Sequence, residues 1–353
     1  MPVEPDVRTT TVSDSSRSLS HRATPCSIAR ADPLSGRDKA GSGTVSTLGR
    51  GCQRGCHTGP VMATTAQWFE GARPRTLPAA ISPVVAGTGV AVYVEAAVWW
   101  KALLALVVAL ALQVAVNYAN DYSDGIRGTD RDRVGPLRLV GSGAAPPGQV
   151  KTAAFASFAI AGIAGLALAA TTAWWLVAVG AVCMLAAWYY TGGTKPYGYA
   201  GLGEVGVFVF FGLVAVLGTT FVQTGSVQLG TVWVAMGIGS LSCAILVANN
   251  LRDIPTDTLV GKRTLAVILG DRGTRVLLVV LHAAAMGCAV LAGSALAWGA
   301  LLALASLPLS AWAVAAVARG ATGPALIPVL RDTGLAELVY AVGLAAGLVV
   351  AAV

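Results

Sequence analysis

From Leu77 onward the chain is a succession of apolar stretches, each about 20 residues long and parted by short polar breaks. A stretch of that length matches the hydrocarbon thickness of a bilayer. Inside it no water is available, so every backbone N–H and C=O must find a partner within the protein. A helix does this within one segment, and the expected fold is therefore all-α, a polytopic membrane protein. Nine segments qualify, at about 77–98, 100–120, 152–170, 172–190, 204–223, 229–249, 274–293, 296–318 and 334–353. The composition agrees. Only 12% of the 353 residues are charged, against about 25% for a soluble domain, and 55% are hydrophobic.

The basic residues are distributed by side. Breaks after the second, fourth, sixth and eighth segments carry Arg127, Arg131, Arg133, Arg138, Lys151, Lys195, Arg252, Lys262, Arg263, Arg272, Arg275, Arg319 and Arg331. The other breaks carry only Lys101. By the positive-inside rule the N-terminus is expected in the cytoplasm and the C-terminus outside a cell membrane. The net charge of +7 reflects this bias and implies no nucleic-acid partner, since no basic helix or aromatic-interleaved basic patch is present. Trp99, Trp100, Trp174 and Trp175 read as anchors at the outer interface.

Residues 1–61 differ in kind. They are rich in Ser, Arg, Thr, Gly and Pro, lack an apolar core, and read as a disordered extension. Residues 62–353 read as the membrane domain, and the alternative takes Met62 as the true start. Cys52, Cys56 and His57 have metal-like spacing but lack a second ligand pair, and Cys26 stands alone. Cys183, Cys243 and Cys288 lie in apolar segments and read as small core residues.

Two acidic clusters close the second and sixth segments. The first holds Asn117, Asp121 and Asp124; the second holds Asn249, Asp253 and Asp257. Carboxylates are costly beside hydrocarbon and mark functional sites there. Steps of three and four put each set on one helical face. Each follows an even-numbered segment and precedes a basic loop, as a duplicated four-helix unit would have it. Two facing clusters of oxygen ligands suit Mg²⁺, which binds through one or two carboxylates plus substrate phosphates. Arg138, Lys195, Arg252 and Lys262 lie on the same side and are expected to complete a diphosphate clamp. Pro255 is expected to loosen the second cluster's helix.

Other features carry less. Asp130, Asp132 and Asp271 read as solvated loop acids. An EF-hand is excluded by ligand spacing around Asp121 and Asp124. The glycines at 201, 203 and 206 match a dinucleotide fingerprint but open a membrane helix, which implies helix packing; Glu204 between them faces either the cavity or the core. Tyr189, Tyr190 and Tyr197 are interfacial residues or line the site, where aromatic faces stabilise a carbocation. His282 reads as structural.

With these residues the chain resembles the UbiA superfamily of intramembrane aromatic prenyltransferases. The family's Asn-x-x-x-Asp-x-x-Asp motif is matched by Asn117, Asp121 and Asp124, and its Asp-x-x-x-Asp motif by Asp253 and Asp257. Four stretches are similar to its 1,4-dihydroxy-2-naphthoate polyprenyltransferase branch: 72–79, 120–130, 133–138 and 249–266. The resemblance covers about residues 66–353. It implies a nine-helix bundle around a central cavity open to lipid, with Mg²⁺ held by Asp121, Asp124, Asp253 and Asp257 and assisted by Asn117. It makes Lys195 a diphosphate contact. It implies polyprenyl diphosphate and 1,4-dihydroxy-2-naphthoate as substrates, in menaquinone synthesis. Another aromatic acceptor (4-hydroxybenzoate, homogentisate or haem) and a cation-coupled transporter are the alternatives.

Overall fold

The computed structural model describes residues 62–129 and 137–353, and all regular structure among them is helical. The expectations for residues 1–61, Cys26, Cys52, Cys56 and His57, and those for Asp130, Arg131, Asp132 and Arg133, lie outside the described residues.

The chain opens with α1 (Thr65–Gly71), held by a capping box in which Thr64 and Gln67 satisfy each other's amides. A 3₁₀ turn (Pro74–Thr76) leads into α2 (Pro78–Tyr93), bent 51° from the preceding segment. Arg73, which joins α1 to the 3₁₀ turn, has φ 56°, a left-handed backbone that a non-glycine residue seldom adopts. Then follow α3 (Trp99–Arg127), α4 (Pro147–Thr171) and α5 (Leu176–Tyr189). Next come α6 (Gly203–Val207), a π-helical stretch (Phe208–Val214) and α7 (Ala215–Thr224), which together make one span. The bundle closes with α8 (Leu229–Leu259), α9 (Leu265–Ala295), a 3₁₀ stretch (Trp298–Ser306) running into α10 (Leu307–Ala318), and α11 (Leu326–Ala352).

Each expected segment has a helical counterpart, but their lengths differ. Among the described residues seven helices are long and apolar enough to cross a membrane, the bent pair makes an eighth if it is one span, and α5 has only 14 residues. The chain is a multi-pass membrane protein. Helix α3 outruns its expected end at 120 by about two turns, and α8 its expected end at 249 by nearly three. Their terminal polar residues are buried against partners, so the helix need not stop where the apolar run stops. Gly128 ends α3 with φ 73°. Pro255 does not break α8; the helix passes through it, and only the carbonyl of Leu251 loses its helical donor.

The core is α8. Its most apolar stretch is 78% buried, whereas the other spans reach 28–39% and present apolar faces outward. Ile238, Leu241, Val234, Leu344 and Tyr340 pack there, and Tyr340 donates to the Ala285 carbonyl at 3.1 Å. Small residues set the approach, as expected where lipid competes with side-chain packing. A Cβ on Gly212 would stand 2.6 Å from the Gly239 Cα, so the π-helical stretch and α8 meet backbone to backbone. His282 is buried and its Nδ1 donates to the Leu278 carbonyl at 3.0 Å, a structural role. Cys243 and Cys288 are buried as expected.

Candidate active site

The helices surround a cavity of about 370 Å³, lined by residues of both acidic motifs. On α3 the lining stripe is Gln113, Asn117, Asn120 and Asp124, spaced by three and four so that all face one way. On α8 it is Ser242, Ile245, Leu246, Asn249 and Asn250, again one face. Arg73, Arg138 and Lys262 add positive charge to this polar end, and Tyr190 and Tyr197 add aromatic faces. Beyond it the walls are apolar, made by α5 (Val179, Cys183), the π-helical stretch (Phe210, Phe211) and α7 (Val222). A π-helical stretch turns consecutive bulky residues toward one side.

The carboxylates hold distinct posts. Asp124 lines the cavity, accepts from the Tyr199 hydroxyl at 2.5 Å and lies 4.0 Å from the Arg138 guanidinium. Asp121, one turn from Asn117, is buried and accepts two backbone amides, Leu139 at 2.7 Å and Val140 at 3.1 Å. It thereby ties the 137–146 loop over the end of α3. Asp253 is buried and gripped by Arg252 through Nε at 2.7 Å and a terminal nitrogen at 2.9 Å. Arg252 also donates to the Asn249 oxygen at 2.8 Å. Asp257 lies 3.7 Å from the Lys262 ammonium.

Tyr199 links the two sides. Its ring sits between Arg127 at 5.5 Å and Lys262 at 5.0 Å. Burial, and then the Asp124 charge, push its hydroxyl well above the usual tyrosine range. Arg127 in turn donates to the carbonyls of Thr191 and Gly193, pinning the loop that carries Tyr199. Tyr190 and Tyr197 meet edge to face with centroids 5.4 Å apart, and burial raises the Tyr197 hydroxyl to about 12.

The donor set is all oxygen, four aspartates and neighbouring asparagines, with no His or Cys beside them, and that chemistry fits a hard divalent cation. Among the described residues no three acidic, His or Cys side chains converge tightly enough to form a metal centre unaided. Mg²⁺ usually completes its shell with substrate phosphates, and such a split donor set is what that habit requires.

Sequence-expected residues thus divide. Asn117, Asp124, Asn249, Arg138, Lys262, Tyr190 and Tyr197 line the cavity; Asp121, Asp253, Asp257 and Arg252 do not, although the last three contact Asn249 or Lys262, which do. Lys195 is exposed and does not line the cavity, and Tyr189 is exposed as well. Arg73, Thr76, Gln113, Asn120, Tyr199 and Asn250 were not singled out by sequence. For Gln113 a signal existed: it is a polar residue inside an apolar run, four before Asn117 and so on the same face.

The UbiA prenyltransferase family matches residues 80–324. The chain is 59% identical over 287 residues to the 1,4-dihydroxy-2-naphthoate octaprenyltransferase of Mycobacterium tuberculosis, covering 81% of this chain and 98% of the relative. It is 57% identical over 290 residues to the Mycobacterium leprae protein of the same name, covering 82% and 98%. The fold matches a UbiA homolog from Archaeoglobus fulgidus bound to GPP and Mg²⁺, with a TM-score of 0.60, 13% identity, and coverage of 80% of this chain and 99% of that one.

Proposed function

The chain belongs to the UbiA prenyltransferase family, and from that premise we propose that it moves a polyprenyl chain from its diphosphate to 1,4-dihydroxy-2-naphthoate, releasing CO₂ and diphosphate. The product is demethylmenaquinone in its reduced form. The observation that carries this reading is near-complete coverage of relatives with that activity in their name, joined to one cavity that both acidic motifs border.

Mg²⁺ would be held by Asp121, Asp124, Asp253 and Asp257 with Asn117, and when bound it neutralises charge developing on the departing diphosphate. The remaining work falls to the chain's own groups. Arg138, Lys262 and Arg73 give the polar end a positive field that holds the diphosphate oxygens. The faces of Tyr190 and Tyr197 stabilise the allylic cation as the C–O bond breaks. Val179, Phe210, Phe211 and Val222 form a dry groove for the isoprenoid, which keeps water from capturing that cation. The ring then adds at the carbon bearing its carboxylate, and loss of CO₂ restores aromaticity. No protein nucleophile is needed; positioning and charge stabilisation suffice.

The basic bias of the motif-bearing loops supports a cytoplasmic N-terminus and site, with the C-terminus outside. The test is a product assay with purified protein, a long-chain prenyl diphosphate, Mg²⁺ and each of dihydroxynaphthoate, 4-hydroxybenzoate and homogentisate. Prenylated naphthalenediol and CO₂ from the first alone are expected, and lost with chelator. Turnover of another acceptor instead would overturn the assignment.

A further inference from the structure

Glu204 belongs to neither motif, yet it opens α6 in the membrane and is only 7% exposed. A carboxyl buried there calls for a reason. Its Oε1 accepts from Asn250 Nδ2 at 2.9 Å, and its Oε2 has no hydrogen-bond partner among the described residues. Asn250 lines the cavity one turn from Asp253. A carboxamide carries its donors and its acceptor on separate arms of one plane. With the nitrogen arm turned to Glu204, the oxygen arm is left for the cavity.

The same polarity recurs along the wall. Ser242 gives its hydroxyl proton to the buried Glu337 at 2.6 Å, which leaves only lone pairs to offer the cavity. Asn117 directs its amide nitrogen to the Ala72 carbonyl at 2.9 Å and the Thr76 hydroxyl at 3.2 Å. Three cavity-lining side chains on two helices therefore each have a donor engaged by another protein group.

We propose that Glu204 holds Asn250 so that its carbonyl oxygen accepts a hydrogen bond from a ring hydroxyl of the aromatic acceptor. Asn250 makes the contact, and Glu204 is a positioning residue. This rests on the aromatic-acceptor reading above and adds a rule of selection. A hydroquinone-type ring offers hydroxyl donors to this wall. The same ring oxidised to a quinone offers only carbonyls, which meet an acceptor with no proton between them. The contact also favours reaction, because a hydroxyl donating to Asn250 leaves more electron density on the ring that must attack a cation.

The test compares Michaelis constants for the two substrates. In Glu204→Leu the oxygen that accepts from Asn250 Nδ2 is gone, so nothing fixes which arm of that amide faces the cavity. The KM for dihydroxynaphthoate should rise about tenfold or more, while that for prenyl diphosphate stays within about twofold. The preference for 1,4-dihydroxy-2-naphthoate over 1-hydroxy-2-naphthoate should fall with it. The exchange Glu204→Gln with Asn250→Asp rebuilds the polarity, since the introduced glutamine would donate to one oxygen of the introduced carboxylate and the other oxygen would face the cavity. It should recover most of the lost acceptor affinity, which a merely structural Glu204 would not explain. Asn250→Ser leaves Glu204 in place and should raise the acceptor KM alone. An unchanged acceptor KM in Glu204→Leu and Asn250→Ser, an equal rise in both KM values, or an exchange variant that recovers nothing would overturn this inference while leaving wild-type turnover intact. A wild type that fails to prenylate dihydroxynaphthoate would instead remove the functional reading, and this inference with it.

Discussion

Tyr199 donates its hydroxyl to Asp124 at 2.5 Å from a loop that no helix of either motif contains. Its ring is meanwhile 5.0 Å from Lys262, the residue that stands 3.7 Å from Asp257. One tyrosine therefore connects the first acidic motif to the second through a single cation.

Tyr199→Phe keeps the ring and removes that hydrogen bond. A bond to a charged group contributes about 1.5–3 kcal/mol, so kcat/KM for prenyl diphosphate should fall about ten- to hundredfold. Steady-state kinetics in detergent or nanodiscs would check it; unchanged kinetics would leave the tyrosine as packing only.

The two motifs should separate under mutation. Asp253→Asn retains an oxygen for Arg252 and should lose turnover with little change in melting temperature. Asp121→Ala should lose turnover and stability together. It strips the partner from the buried Leu139 amide, at a cost of about 1–3 kcal/mol, and frees the 137–146 loop. Thermal denaturation of both variants in one detergent checks the contrast.

Lys195 is exposed and off the cavity, whereas Arg138 lines it 4.0 Å from Asp124. Lys195→Ala should keep kcat/KM within about threefold, as a screened surface charge would, and Arg138→Ala should lower it at least tenfold. A large loss for Lys195→Ala would mean that its loop closes over bound diphosphate.

The apolar part of the cavity should set chain length. Gly180 and Gly218 line it, and a Cβ added at either meets nothing within 4 Å. Gly218→Phe should therefore be tolerated by the fold while blocking the groove. Turnover of a long prenyl diphosphate should fall at least tenfold and that of geranyl diphosphate should not, because the blocked volume lies beyond the first isoprene units. Equal loss for both donors would place Gly218 outside the tail path.

Much of this was legible in the sequence because hydrocarbon imposes strict demands. Apolar length announces each span, and carboxylates such as Asp124 and Asp253 stand out where charge is costly. What escaped was set by tertiary geometry. Nothing in the local sequence says that Asp121 turns to the amides of Leu139 and Val140. Likewise Lys195 and Tyr199 sit four residues apart in one loop, and only the fold shows that the tyrosine turns inward and the lysine outward. The overrun of α3 and α8 was missed because an apolar-run rule ends a helix where polarity begins, whereas these helix ends are polar on a buried face. Arg73 lines the cavity from a left-handed backbone position that no local sequence signal announces.

At 14 residues, α5 rises only about 21 Å, well short of the roughly 30 Å of hydrocarbon that surrounds its neighbours. Its two ends cannot both reach the water on a straight course, so the leaflets beside it have to pinch together or the flanking loops have to sink. The wall that borders the isoprenoid groove is therefore mismatched to the bilayer, and the thickness of the host membrane becomes a variable that turnover should feel.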